Sequence, residues 1–205
     1  MIKFRQITQK FSPVGKRILQ RGQQFWRMAT SPFRRLPDVV IVGAMKAGTT
    51  SLYHYLCQHP NVDGAWSKEV HYFDENYDRN PFWYRSNFDL HGGSLAVEAT
   101  PRYLYDEETL WRMSVLLPDA TVIALLREPV SRAYSHYKHV QRGMGKWGTD
   151  HRSFEEAARA DIRCAKDRGI LGENTYKDIY HSYIRRGIYK PQVERFKKYT
   201  TITSL

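Results

Sequence analysis

The sequence predicts an α/β fold, a three-layer sandwich with a central parallel sheet flanked by helices. Two observations carry this prediction. Three apolar, β-branched runs, "DVVIVG" (38–43), "SLAVEATP" (94–101) and "ATVIALLREP" (120–129), read as buried strands. Helical patterns follow each of them, and strands alternating with helices at this spacing imply right-handed parallel crossovers.

"DVVIVG" is continuously apolar, as a strand buried on both faces must be. The helix after it starts with Thr49 or Thr50 as its cap and runs to about Gln58, where "HPNV" breaks it. "WSKEVHYFD" (66–74) reads as a short strand or extended loop, and "NPFWYRSNF" (80–88) as a short helix opening at Pro81. "SLAVEATP" ends where Pro101 restricts Thr100. "DEETLWRMSVLL" (106–117) is helical, with acidic residues where the helix dipole favours them. "PVSRAYSHYKHVQRG" (129–143) is the helix after the third strand, and Arg127 stands at that strand's end. From Ser153 onward the chain reads mostly helical, through "YKDIYHSYIRR" and "PQVERFKKY".

A chain of 205 residues accommodates one domain with extras. Its net charge of +11 suggests a nucleic-acid partner until the charge is located. Residues 1–37 hold nine basic residues and no acidic one, leaving 23 basic against 21 acidic residues for the rest. The basic character thus belongs to a tail, residues 38–205 form the domain, and no nucleic acid is implied. The tail has no apolar run long enough to span a bilayer and no signal-peptide core. It reads as a disordered lead-in in preference to a transit peptide or a basic amphipathic helix in peripheral contact with an anionic membrane. Cys57 and Cys164 form no C-x-x-C pair and read as reduced thiols of a cytoplasmic protein.

The first strand delivers the chain into Gly43-Ala44-Met45-Lys46-Ala47-Gly48-Thr49-Thr50, which has the parts of a P-loop-like anion cradle. Glycines allow close backbone approach, successive N–H groups converge, and a helix N-terminus adds a positive dipole. A nucleotide triphosphatase loop would place lysine after the second glycine. Here Thr49 follows Gly48, and the lysine, Lys46, lies inside the loop. Where such an enzyme holds magnesium with an aspartate at a strand end, this chain has Arg127, which argues against metal-assisted hydrolysis. Arg127, at the carboxyl edge of the sheet, stands where such sheets bind ligands and has a fork suited to a phosphate, the alternative being a surface pair with Glu128 or a neighbouring acid. Ser131 and Ser135 share a helix face. His136 and His139 are spaced for a metal but lack a third ligand, and read as an amphipathic helix face. Trp83, Tyr84 and Phe88 read as core or cleft lining.

"GAMKAGTTSLYHYL" resembles the 5′-phosphosulfate loop of sulfotransferases that use 3′-phosphoadenosine 5′-phosphosulfate (PAPS), and "LLREPVSRAYSHY" resembles their 3′-phosphate motif. With "KEVHYFD" and "VEATPRYLY" between them, the order is most similar to the heparan sulfate branch and its bacterial relatives, over about residues 38–199. The resemblance implies PAPS as co-substrate, no metal, and a carbohydrate hydroxyl or amine as acceptor. It implies Lys46 on the departing phosphate, with Ala47, Gly48, Thr49, Thr50 and Ser51 around the 5′-phosphate. Arg127 and Ser135, with Arg186 and Gly187 from "RRGIYKPQVERF", would hold the 3′-phosphate. Glu69 would be the general base and His71 its catalytic companion, with Lys68, His71 and Arg102 toward the acceptor. Ala99 replaces a lysine that contacts substrate in heparan-modifying enzymes. Family domains also run some tens of residues past the match to Tyr199, so a truncated copy that folds marginally and binds PAPS weakly is an expectation. A nucleotide kinase or NTPase, an inactive PAPS-binding homologue and a non-catalytic anion-binding module are the competing readings.

Overall fold

The computed structural model describes residues 13–90, 92–143, 149–169 and 181–199. Its sheet has four strands, β1 (Val39–Gly43), β2 (Val62–Gly64), β3 (Leu95–Ala99) and β4 (Thr121–Ala124), in the spatial order β2-β3-β1-β4. Every pairing is parallel, and Ile41 lies opposite Ala99 on one side and Ile123 on the other. The expected α/β sandwich is therefore present.

β1 is central because its side chains are apolar on both faces. Val40 and Val42 enter a core with Tyr72, Phe73, Tyr84, Phe88 and Leu110, while Ile41 enters a second core with Tyr53, Val97 and Ala99. Val40, Ile41 and Val42 are completely buried, each burial contributing about 1.5–3 kcal/mol. Tyr84 and Phe88 belong to the core, with Trp83 packed at its margin.

The helices start where the sequence supplies caps. α1 (Pro13–Ala29) leads into a 3₁₀ turn, Ser31–Phe33. α2 (Thr49–Leu56) follows β1. Asn80 Oδ1 accepts from Trp83 N at 3.0 Å to open α3 (Pro81–Arg85), and Asp106 caps α4 (Glu107–Leu116). The Glu128 carboxylate accepts from Val130 N and Ser131 N ahead of α5 (Pro129–Gln141). Ser153 and Glu156 form a capping box on α6 (Phe154–Arg168), and α7 spans Tyr189–Tyr199.

Several expectations need correction. α2 is capped by Gly48 in the left-handed region, at φ 98°, not by a threonine. "WSKEVHYFD" is the loop and not the strand of the two alternatives, a bend at 66–68 and a turn from 72, and the neighbouring strand is β2, which the breaker reading of "HPNV" missed. β4 stops at Ala124, so Arg127 lies three residues beyond it. Within "YKDIYHSYIRR", 176–180 lies outside the described residues, and the remainder is a turn and a 3₁₀ helix, Arg185–Gly187. The tail read as disordered forms α1 from Pro13. Arg27 ties this helix to the body by donating to Ser86 O at 2.6 Å, Phe88 O at 2.7 Å and Asp89 Oδ1 at 2.9 Å.

β3 and β4 flank β1 on opposite sides, so the segments leaving β1, β3 and β4 meet at one sheet edge. Ala44 N donates to Leu125 O at 2.6 Å, and Leu104 N to Val42 O at 2.8 Å. Open α/β sheets bind ligands at such an edge.

Candidate active site

The loop after β1 forms one wall of the site. Lys46, at φ 68°, and Gly48 both take left-handed backbone, which turns the chain sharply between strand and helix. No side chain caps α2. Its first N–H groups have no acceptor within the helix, and they carry the positive end of its dipole. Backbone of this kind is able to bind an anion.

Beside it lies a cleft of about 630 Å³, lined by Lys46, Gly48, Thr49 and Thr50 from the loop, Glu69 and His71 opposite, and Arg127, Ser135 and Arg186. An adjoining hollow of about 380 Å³ shares Lys46, Arg127, Ser135 and His139 with it and adds Lys138 and Arg142. Arg127 donates to Lys46 O at 3.1 Å, so α5 and the loop are fastened through this arginine's own segment. Arg102 also lines the cleft, pairing with Glu75 at 2.7 Å and with Asp74 at 3.6 Å. Ala47, Ser51, Lys68 and Gly187 border these residues without lining the cleft. Gly187 lies against Pro129, where a Cβ would meet Pro129 Cβ at 3.2 Å, so it lets the 3₁₀ turn bring Arg186 close.

Arg186 is positioned by a buried ion pair. Asp161 accepts from Arg185 Nε at 2.5 Å and from the amides of Ile184 and Arg185 at 2.6 and 3.0 Å, tying α6 to the turn. Arg186 itself stacks on Tyr105, 4.8 Å from the ring centre.

The cleft is electropositive on the loop side. Burial lowers the Lys46 pKa, with Arg142, Arg127 and Lys68 adding to the effect and Glu69 opposing it. Burial and then Lys46 likewise lower that of His139, whose Nδ1 lies 3.5 Å from Lys46 Nζ. His136 is completely buried and held neutral by burial, with Arg186 and Arg132 adding to this. Neither of its ring nitrogens has a hydrogen-bond partner among the described residues, although the residue lines the cleft. Both histidines stand on the amphipathic helix, His136 on its buried face with Ala133 and Val140 and His139 half-buried beside the cleft.

Glu69 and His71 form the opposite wall, both in left-handed backbone, at φ 59° and 53°. Glu69 Oε1 pairs with Lys68 at 2.6 Å, and its Oε2 lies 3.7 Å from His71 Nε2. His71 first, with Lys68, overcomes the effect of burial and brings the Glu69 pKa down to about 2. For His71, burial disfavours the charged ring, but Asp74 at 2.9 Å and Glu69 outweigh it and raise the pKa to about 9. At neutral pH Glu69 is therefore a carboxylate and His71 an imidazolium.

A buried carboxylate holds this wall in place. Glu98 accepts from Thr100 Oγ1 and Tyr103 Oη, each at 2.8 Å, and from Tyr84 Oη. Tyr103 Oη in turn accepts from Tyr72 N at 2.9 Å. Ala99, next in sequence, faces the second core and opens to no cleft.

Sequence reasoning missed Asp74, Glu98, Tyr103 and the neutral role of His136. The spacing of Asp74, three after His71 in "KEVHYFD", was an available signal. The Glu98 cluster had none, because its partners come from three separate segments.

Fold and cleft define an α/β protein whose first strand feeds a lysine-bearing glycine loop, opposed across the cleft by Glu69 and His71. Residues 36–200 match the family model described as Sulfotransferase domain, and the chain belongs to that family. It is 39% identical over 106 residues to membrane-associated sulfotransferase kil1 of Dictyostelium discoideum, covering 50% of this chain and 22% of that protein. It is 31% identical over 172 residues to human heparan sulfate glucosamine 3-O-sulfotransferase 5, covering 82% and 46%. A sulfotransferase crystal structure from Alicyclobacillus acidocaldarius matches with a TM-score of 0.64 and 29% identity, covering 80% of this chain and 69% of that one. The chain thus spans less than half the length of these curated relatives.

Proposed function

We propose that the chain transfers a sulfuryl group from PAPS to a hydroxyl or amine of a carbohydrate. The observation that carries this reading is the placement of Lys46 and Glu69 on opposite walls of one cleft. Family membership, and a relative named for glucosamine 3-O-sulfation, support the donor and acceptor classes. PAPS supplies an activated sulfuryl group on a phosphate that can leave as a dianion. The uncapped amides of α2 and Thr49 and Thr50 would hold the 5′-phosphate, and Arg127, Ser135 and Arg186 the 3′-phosphate. Two features fit such a ligand: an uncapped helix N-terminus, and the partnerless ring of His136 in the cleft.

The acceptor oxygen or nitrogen attacks sulfur and gives its proton to the Glu69 carboxylate. The bond from sulfur to the bridging oxygen breaks, and its electron pair stays on the 5′-phosphate, beside the Lys46 ammonium. A positioned carboxylate contributes about 10²- to 10⁴-fold. Lysine and oriented amides stabilise the developing charge in a site of reduced dielectric. Glu69 is ionised throughout the neutral range, so it carries no proton when the acceptor arrives. The unpaired thiols of Cys57 and Cys164 are in keeping with a cytoplasmic setting.

The test is incubation with PAPS labelled in its sulfuryl group and a panel of glycans. Label on a glycan, dependent on protein, is expected. Turnover of ATP with magnesium and no label transfer would instead establish the nucleotide-kinase alternative.

A further inference from the structure

We infer that α1 is a docking element for an anionic lipid bilayer. In a globular protein the apolar face of a surface helix is turned to the core. α1 is mounted the other way. Ile18, Gly22, Phe25 and Ala29 recur at helical spacing, with Leu19 and Trp26 alongside, and form one continuous apolar arc. Arg17, Gln20, Arg21, Gln24 and Arg27 occupy the opposite arc. The polar arc is the one bonded to the body, through the three hydrogen bonds of Arg27, and Arg34 fixes the next turn by donating to Phe88 O at 2.7 Å. The helix cannot roll its apolar arc inward without breaking these contacts.

The apolar arc is accordingly left facing outward. Ile18 is 66% exposed, Phe25 78% and Trp26 52%, and Phe33 in the following turn is 73% exposed. Among the described residues neither Arg17 nor Arg21 of the polar arc forms an ion pair, and Arg21 stands next to the apolar arc. Exposed aromatics with basic residues at their border are the composition of a helix that lies in the plane of a bilayer interface.

Charge selects the occupant. Residues 1–37 carry nine basic residues and no acidic one, and three of the nine, Arg27, Arg34 and Arg35, are buried and paired with Asp89 and Asp63, which leaves six to meet a partner. A second copy docked on the same face would set like charge against like charge, whereas an anionic headgroup layer supplies the complement. Neither PAPS binding nor transfer enters this inference.

The experiment is cosedimentation of the full chain with phosphatidylcholine vesicles with and without phosphatidylserine. Binding that requires phosphatidylserine and weakens with salt is expected. The pair Ile18→Ser and Phe25→Ser should weaken it at least about tenfold, and Arg17→Ala with Arg21→Ala should reduce its salt sensitivity. These side chains belong to none of the core clusters, and circular dichroism with a thermal melt verifies that each variant is folded. If the serine pair does not fold, the arginine pair alone decides. Absence of vesicle binding, equal binding to neutral vesicles, or self-association abolished by the serine pair would overturn the inference.

Discussion

His139 Nδ1 stands 3.5 Å from Lys46 Nζ, joining α5 to the loop that follows β1. With its pKa lowered by burial and by Lys46, the ring is a neutral acceptor that directs the ammonium into the cleft. His139→Ala should lower kcat roughly tenfold, less than loss of a direct transition-state donor, while PAPS affinity changes little. His139→Gln, which keeps an acceptor, should recover much of the rate. Single-turnover rates with a binding titration separate the two effects.

The His71 ring makes stability depend on pH in a defined direction. Its folded pKa, about 9, exceeds the ordinary 6.5, so the folded state holds the proton more tightly. That stabilisation is complete below pH 6.5 and disappears as pH rises through about 9. Glu69, depressed to about 2, contributes above its ordinary 4.5 and loses that contribution as pH falls through about 2. Thermal melts of the wild type and His71→Gln should therefore differ most near pH 6 and converge above about pH 9.

Asp161→Asn should destabilise the fold by about 3–5 kcal/mol, because it breaks a buried ion pair by removing the carboxylate charge. The turn carrying Arg186 depends on the same carboxylate, so PAPS affinity should fall in parallel. Urea unfolding and a PAPS titration on one preparation check both.

Tyr103→Phe removes a donor to Glu98 and the acceptor of Tyr72 N. A loss of about 1–3 kcal/mol is expected for the group left unsatisfied. Transfer should fall further than PAPS affinity, since the loop bearing Glu69 and His71 moves while the loop at Lys46 does not.

The three long strands and the anion loop were legible because continuous apolar runs and glycine spacing are local signals. β2 was not. It has three residues, and its identity comes from pairing with β3. The cap of α2 was misread for a related reason: two threonines favour capping, but the left-handed turn at Gly48 takes that position and leaves the amides free. At the site, Lys46, Glu69, Arg127, Ser135 and Arg186 were named from motifs and line one cleft. What holds them, the Glu98 hydroxyl cluster and the Asp161–Arg185 pair, joins residues up to tens of positions apart and left no mark on spacing. α1 shows the same limit from the other side. Its amphipathic pattern was visible, but only the bonds of Arg27 tell which arc faces out.

The most direct measurement is sulfuryl transfer and PAPS binding by Glu69→Gln. The substitution keeps the shape of the side chain and removes its ability to take a proton. Transfer should drop by about 10²- to 10⁴-fold, while PAPS affinity stays within a few-fold of wild type. Transfer at the wild-type rate, or loss of PAPS binding together with transfer, would contradict Glu69 as the base.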